Sequence, residues 1–201
     1  PRKNFLLLPN KTLAEAIASE WRIQGEVIRP SEMPMMSLAS TAIDRLVPQR
    51  IDVINSIVAY AQTDLLCYRA PEPNELIRRQ CDIWDPLLYW AKINLNADFS
   101  VTTGIMPLEQ PENIEIAIRA AVVCYDAFTL IALHELTTIS GSIVIGLAII
   151  EGGIEVGDGI VAAQLDTLYQ IERWGEDTEG TLKLKTMRQE MLDAANFIVL
   201  L

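Results

Sequence analysis

Apolar positions along this chain follow three patterns: short runs closed by proline, stretches with apolar residues three and four apart, and two segments apolar on nearly every side. Phe5 to Leu8, ahead of Pro9, is a short run and predicts a strand. Thr12 with Glu15 three residues on matches a capping box. It opens a helix with Leu13, Ile17 and Trp21 inward, Glu15, Glu20 and Arg22 in solvent, and Gly25 as the stop. Met33-Pro-Met-Met36 then reads either as a loop filling gaps at a core edge or as an adaptable contact surface. Helices over about 37–46 and 51–61 lead into the stretch that organises the chain.

That stretch runs from Asp64 to Ala91. Leu65, Leu66, Cys67 and Tyr68 are bounded by Asp64 and by Arg69-Ala-Pro71, which predicts a mostly buried strand, with a turn at Pro71 and Pro73. From Glu75 the spacing becomes helical, with Leu76, Ile77, Gln80, Cys81 and Trp84 on one side. Pro86 lacks an amide proton, so the helix is expected to break before it. Asp85-Pro86 is a good cap followed by a good first helical residue, so a second helix opens there with Leu87, Leu88, Trp90 and Ala91. Two tryptophans would then flank a corner.

Phe99-Ser-Val101-Thr-Thr103 alternates and is closed by Gly104, which predicts another strand. Pro107 and Pro111 mark a linker. Everything after it reads as helix: an apolar segment over 113–136, a second over 138–150 with Gly141, Ser142 and Gly146 placed for a close helix approach, a stop at Glu151-Gly-Gly153, a helix from Gly157-Asp158-Gly159 to Trp174, and a last helix from Asp177-Thr178. Val161, Leu165, Leu168 and Ile171 form the inward face of the first of these last two helices; Leu184, Met187, Met191, Ala194, Ile198 and Leu201 form that of the second. The expected fold class is α+β and mostly helical, with a small mixed α/β domain over 1–107 and a helical bundle over 108–201.

At 201 residues, 50% apolar and 21% charged, the chain can bury a sizeable core. A net charge of -11 excludes a nucleic-acid backbone or an anionic membrane surface as the main partner. Cys67, Cys81 and Cys124 lie in apolar runs and predict free, buried thiols in a reducing compartment, with no disulfide. Their spacing matches no zinc pattern, and His134 is the single histidine, so neither a metal nor a cofactor is expected. The run at Phe5–Leu8 is too short for a signal peptide. Glu115, Arg119 and Asp126 interrupt one apolar segment and the other is short of a bilayer's span of ~20 residues, so both are core helices rather than a membrane hairpin.

Catalytic groups are sparse. His134 has Glu135 beside it and Ser140 and Ser142 nearby, but neighbours on a helix point apart; a backbone carbonyl is the expected partner of a lone histidine here. The glycines at 152–153 and 157–159 follow a helical segment rather than a strand, so they mark turns and not a phosphate loop. The one dense cluster is Glu172, Glu176, Asp177 and Glu179 around Trp174, in ERWGEDTEG. Such carboxylates stabilise a helix N-terminus by about 0.3–1 kcal/mol each. Four of them in a few residues repel one another, so the surplus is either a solvated face or a site for a basic protein surface. A rival reading is an enzyme whose pocket between the two domains uses these carboxylates and His134.

The motifs DLLCYRAPEP, RQ and WDPLLYWA, with LAEAIASEW and RPSEMPMM before them and WGED after, resemble the assembly chaperone of the ATP synthase alpha subunit, the Atp-twelve family, in an alphaproteobacterial form. Thr167, Tyr169 and Gly180 depart from its usual pattern. The resemblance implies a non-enzymatic chaperone that binds the free alpha subunit of the F-one ATPase and shields its apolar interface until the beta subunit joins. It assigns the decisive acidic position to Glu176, with Asp177 beside it, and no other site residue; Glu172, Glu179 and Trp174 are expected as further partner-binding residues from their place in the same acidic cluster. The resemblance also implies a monomer in the bacterial cytoplasm, or alternatively the mitochondrial matrix, and further strands upstream of those read here.

Overall fold

The computed structural model describes residues 4–104, 106–175 and 178–201. Helix α1 (Lys11–Arg22) buries Leu13 and Ile17, as its spacing predicts. Its cap is Asn10, whose side chain accepts from the Leu13 amide at 2.8 Å, so the cap lies two residues ahead of Thr12. The helix ends at Arg22, before Gly25. Glu20 is not a solvent residue. Its two carboxylate oxygens accept from the Met35 and Met36 amides at 2.7 and 2.8 Å and cap helix α2 (Pro34–Thr41), which has no side-chain cap of its own. Met33 and Met35 are buried, so this methionine cluster largely fills core. One π turn (Ala42–Leu46) and one tight turn (Val47–Gln49) join α2 to α3 (Arg50–Ala59).

The run at Phe5–Leu8 is irregular rather than a strand, with Phe5 and Leu7 largely exposed. No neighbouring strand among the described residues pairs with it, and an unpaired strand has no independent stability.

The expected strand at Leu65–Tyr68 is instead a tight turn (Leu65–Cys67) followed by β1 (Tyr68–Arg69). The cause is Asp64: its side chain captures the Leu66 amide and curls the run, leaving only two residues free to pair. β1 lies parallel to β2 (Thr102–Thr103), with Tyr68 opposite Thr102 and Arg69 opposite Thr103. β2 keeps the end of the run predicted from Phe99.

The break at Pro86 does not occur. Helix α4 (Asn74–Leu95) runs straight through it. Pro86 deprives the Asp82 carbonyl of its helical donor, but both residues face solvent, where water replaces the bond. On the opposite side Leu76, Gln80, Trp84, Leu87 and Ala91 are all buried, so one packed face spans the proline and keeps the helix continuous. Cys81, expected on that face, is exposed, as is Cys124; only Cys67 is buried.

The apolar segment over 113–136 is two helices, α5 (Glu112–Val122) and α6 (Ala127–Ser140). Asp126 divides them by accepting from the Phe128 and Thr129 amides at 2.8 and 2.9 Å, which makes it the cap of α6. Arg50 reaches across from α3 and donates to the Val123 and Tyr125 carbonyls at the end of α5. Gly141, at φ 72°, closes α6 in the left-handed region, and Ser142 immediately caps α7 (Ile143–Ile150). Helices α8 (Val156–Trp174) and α9 (Thr178–Val199) complete the chain.

Helices α6 and α7 are apolar all round because they are enclosed: every residue from Ile143 to Ala148 is buried. Around them pack α2, α3, α4, α8 and α9, and the buried side chains from Leu13 to Phe197 form one continuous cluster. Among the described residues no helix is long and apolar enough to cross a membrane.

The turn between α7 and α8 is fitted against α4. A β-carbon on Gly153 would lie 2.7 Å from Cε2 of Trp90. Gly153→Ala is therefore expected to push the indole out of place and cost about 1–3 kcal/mol, read as a drop in urea midpoint with a changed tryptophan fluorescence maximum.

Candidate functional site

The motif residues around Asp64 form a buried polar knot. Asp64 accepts from the Leu66 amide at 3.0 Å, the Ser142 hydroxyl at 3.0 Å and the Val144 amide at 3.2 Å, so it joins the central turn to the start of α7. Burial outweighs these bonds and pushes its carboxyl up to about 6. The same burial, with the Asp64 charge next, pushes the Cys67 thiol up to about 12, leaving it an unreactive core group. Arg69, itself buried, donates to the Leu66 carbonyl at 3.0 Å and to Asp85 at 2.7 Å while its guanidinium lies 5.2 Å from the Trp84 ring centre. Gln80 accepts from the Ala70 amide and donates to Asp166 of α8; Trp84 donates to the Ala162 carbonyl of α8. Sequence motifs in the first half thus seat α8, the helix that leads to the acidic cluster.

Near its C-terminal end α8 is tied to α4 a second time. Tyr169 is buried between two guanidinium groups, Arg79 at 5.2 Å and Arg173 at 5.3 Å from its ring centre. Arg79 donates to Glu172 at 2.7 Å and to Glu75 at 2.9 Å; Arg173 also donates to Glu75. Desolvation is the largest single influence on the Glu75 carboxyl and raises it, but the hydrogen bonds and charges of Arg173 and Arg79 together outweigh it and hold the carboxyl below the usual range. The hydrogen bond to Glu172, and the Glu75 charge behind it, hold Arg79 above its ordinary value. Only the Glu75–Arg79 spacing of four was readable in the sequence; the pairing with α8 depends on the packing of two helices far apart in the chain.

Glu172, predicted for partner binding, is thus engaged by Arg79 with its side chain still 56% exposed. Trp174 is 79% exposed, an unusual setting for an indole at a helix end. Gly175, at φ 88°, closes α8 with its amide donating to the Ile171 carbonyl. Glu176 and Asp177 lie outside the described residues. Glu179 is exposed in the first turn of α9, where a carboxylate faces the helix's positive end.

The other candidate chemistry resolves into structure. Ser142 caps α7 and binds Asp64, and Ser140 donates to the Leu136 carbonyl, so neither is a free nucleophile. The backbone partner expected for His134 is not there: its Nδ1 is buried without a hydrogen bond, with the Glu135 carboxylate 3.7 Å away. Among the described residues no group of three His, Cys, Asp or Glu side chains is arranged to hold a metal ion.

Residues 1–92 match the family model of the ATP12 chaperone protein. The crystal structure of Atp12 from Paracoccus denitrificans is similar over the whole chain, with 40% identity and a TM-score of 0.95, and the chain covers 86% of it. The Atu1473 protein of Agrobacterium tumefaciens is similar over 98% of the chain and 74% of its own, with 36% identity and a TM-score of 0.92. The mitochondrial protein atp12 of Schizosaccharomyces pombe is 24% identical over 173 residues, 81% of the chain, and the chain spans 60% of that relative's length. The motifs from Asp64 to Ala91, the helical architecture built on them and a 40% identical structure that is similar over the whole of this chain together place this chain in the ATP12 chaperone family.

Proposed function

We propose that this protein is a non-enzymatic chaperone of ATP synthase assembly that binds the free alpha subunit of the F-one ATPase and covers its apolar interface until the beta subunit replaces it. The observation that carries this reading is the likeness of the whole of this chain to Atp12 of Paracoccus denitrificans. An unassembled subunit exposes an apolar face that aggregates, and covering it requires surface complementarity rather than bond chemistry. In keeping with that, the serines beside His134 serve helix caps and turns.

The contact is centred on the end of α8 and the start of α9. The exposed Trp174 supplies an aromatic anchor, and Glu176, with Asp177, Glu172 and Glu179, orients a basic patch on the client. Arg79 neutralises part of the charge of Glu172, so Glu172 is the lesser contributor to this contact. The protein acts as a monomer, in the bacterial cytoplasm; the higher identity to the Paracoccus relative than to the mitochondrial one favours that compartment over the mitochondrial matrix.

The test is aggregation of purified alpha subunit diluted from denaturant, followed by light scattering. An equimolar amount of this protein is expected to suppress the signal; unchanged scattering rejects the reading. Glu176→Lys is expected to lose at least tenfold in effective affinity for alpha, as for a central charged contact, with an unchanged circular dichroism spectrum. Normal holding by that variant would move the site elsewhere.

A further inference from the structure

A groove of about 270 Å³ opens between α4 and α8, away from the acidic cluster. Its floor is Leu87 and Ala162, both buried, and its walls are Ile83, Pro86, Ile154 and Val161. Val161, expected from its spacing to face inward, is 43% exposed there. The groove does not end at its own lining. Pro86, Tyr89 and Ile93 follow one another at intervals of three and four along α4, and Tyr89 and Ile93 are 65% and 61% exposed, so an apolar strip continues from it along the helix.

The mouth of the groove is acidic. Asp82 and Asp158 stand on opposite sides, one on each helix. Asp82 has only a loose contact with Arg78, 4.0 Å apart with both side chains more than two-thirds exposed. No cation pairs with Asp158 among the described residues. Pro86 adds a third negative element, because the Asp82 carbonyl beside the groove lacks the amide donor that a helix would otherwise supply. An apolar slot with carboxylates on both rims and a spare acceptor selects an apolar segment with lysine or arginine next to it.

We infer that this groove is a second docking surface for the client, taking an apolar segment flanked by basic side chains, most simply one turn of amphipathic helix laid along α4. The inference rests on the proposed holding of the alpha subunit. It divides the client contact in two: a charged contact at the end of α8 and an apolar one nearer its start, with the rigid helix between them. The buried knot at Trp84 and Gln80 fixes the two walls of the groove relative to one another, so the slot is preformed.

Two variants test it in the same light-scattering assay with purified alpha subunit. Val161→Lys places a charge in the slot and is expected to raise the concentration needed for half-suppression about tenfold or more. The double variant Asp82→Asn with Asp158→Asn removes only exposed charge and is expected to raise it about threefold at low salt, converging on the unsubstituted protein at high salt. Should Val161→Lys misfold by circular dichroism, the double variant decides. If the unsubstituted protein holds alpha and the folded variants hold it equally well, the groove is not a docking surface while the chaperone reading stands. If the unsubstituted protein does not hold alpha, both fall.

Discussion

Trp84→Ala is expected to lower the stability of this protein by about 3–5 kcal/mol, the range for truncating a fully buried aromatic side chain. Trp84 is 1% exposed, donates its indole N–H to the Ala162 carbonyl at 2.9 Å and lies under the guanidinium of Arg69. Removing it therefore opens a cavity, leaves the Ala162 carbonyl without that donor and takes the cation's aromatic partner away. Trp84→Phe keeps most of the ring and loses mainly the hydrogen bond, so it is expected to cost less, on the order of 1–2 kcal/mol. Urea unfolding of both variants separates the two contributions. A loss below about 1 kcal/mol for the alanine variant would mean that the α4–α8 seam is not held where the structure has it.

The second large effect belongs to Asp64. Alanine at this position leaves the Leu66 and Val144 amides and the Ser142 hydroxyl without their buried acceptor, and each orphaned group costs about 1–3 kcal/mol. A total on the order of 3 kcal/mol or more is expected at neutral pH. The residue also sets a pH dependence. Its folded carboxyl titrates at about 6, above the ordinary 3.8, so the folded state binds the proton more tightly than the unfolded chain. The resulting contribution to stability is complete below about 3.8 and is lost as the pH rises through about 6. A shift of this size corresponds to roughly 3 kcal/mol. The stability difference between the unsubstituted protein and Asp64→Ala should therefore widen as the pH falls from 8 to 4. Glu75, whose carboxyl is lowered, acts in the opposite sense at more acidic pH, and the difference between the two proteins cancels it. A difference that is flat with pH would contradict a buried, desolvated carboxylate.

Both effects arise in the stretch that the sequence already marked as central, and the reasons differ from those first read there. The apolar run at Leu65–Tyr68 has the composition of a strand, yet a single acidic residue before it takes the Leu66 amide and makes a turn. Composition does not register a side chain that competes with the backbone. Pro86 read as a break because the missing amide is a local fact, whereas the direction in which the freed carbonyl points is a tertiary one. In the same way the sequence pattern presents Asp126 as a charge interrupting an apolar helix, when its role is to begin one. Glu20 looked solvated on its own helix because its partners lie at the start of another.

The helical character of the chain was legible because periodic spacing and enclosed apolar segments survive any detail of packing. The large buried faces of α6 and α7 follow directly from it. The family was legible too, since its motifs are residues with fixed partners: Asp64, Arg69, Gln80 and Trp84 are each used in the buried knot. The arginine pair around Tyr169 was not, because it depends on α4 meeting α8 across some ninety residues of chain. The groove between α4 and α8 escaped for the same reason, and because Val161 sits where a helical wheel places a core residue.

The most direct measurement is co-expression with the alpha subunit of the same organism's ATP synthase, followed by gel filtration of the soluble fraction with and without the beta subunit. A soluble complex of this protein with alpha, which disappears into an alpha–beta assembly when beta is supplied, is the predicted result. Alpha that remains insoluble, or elutes apart from this protein, would contradict the holding role.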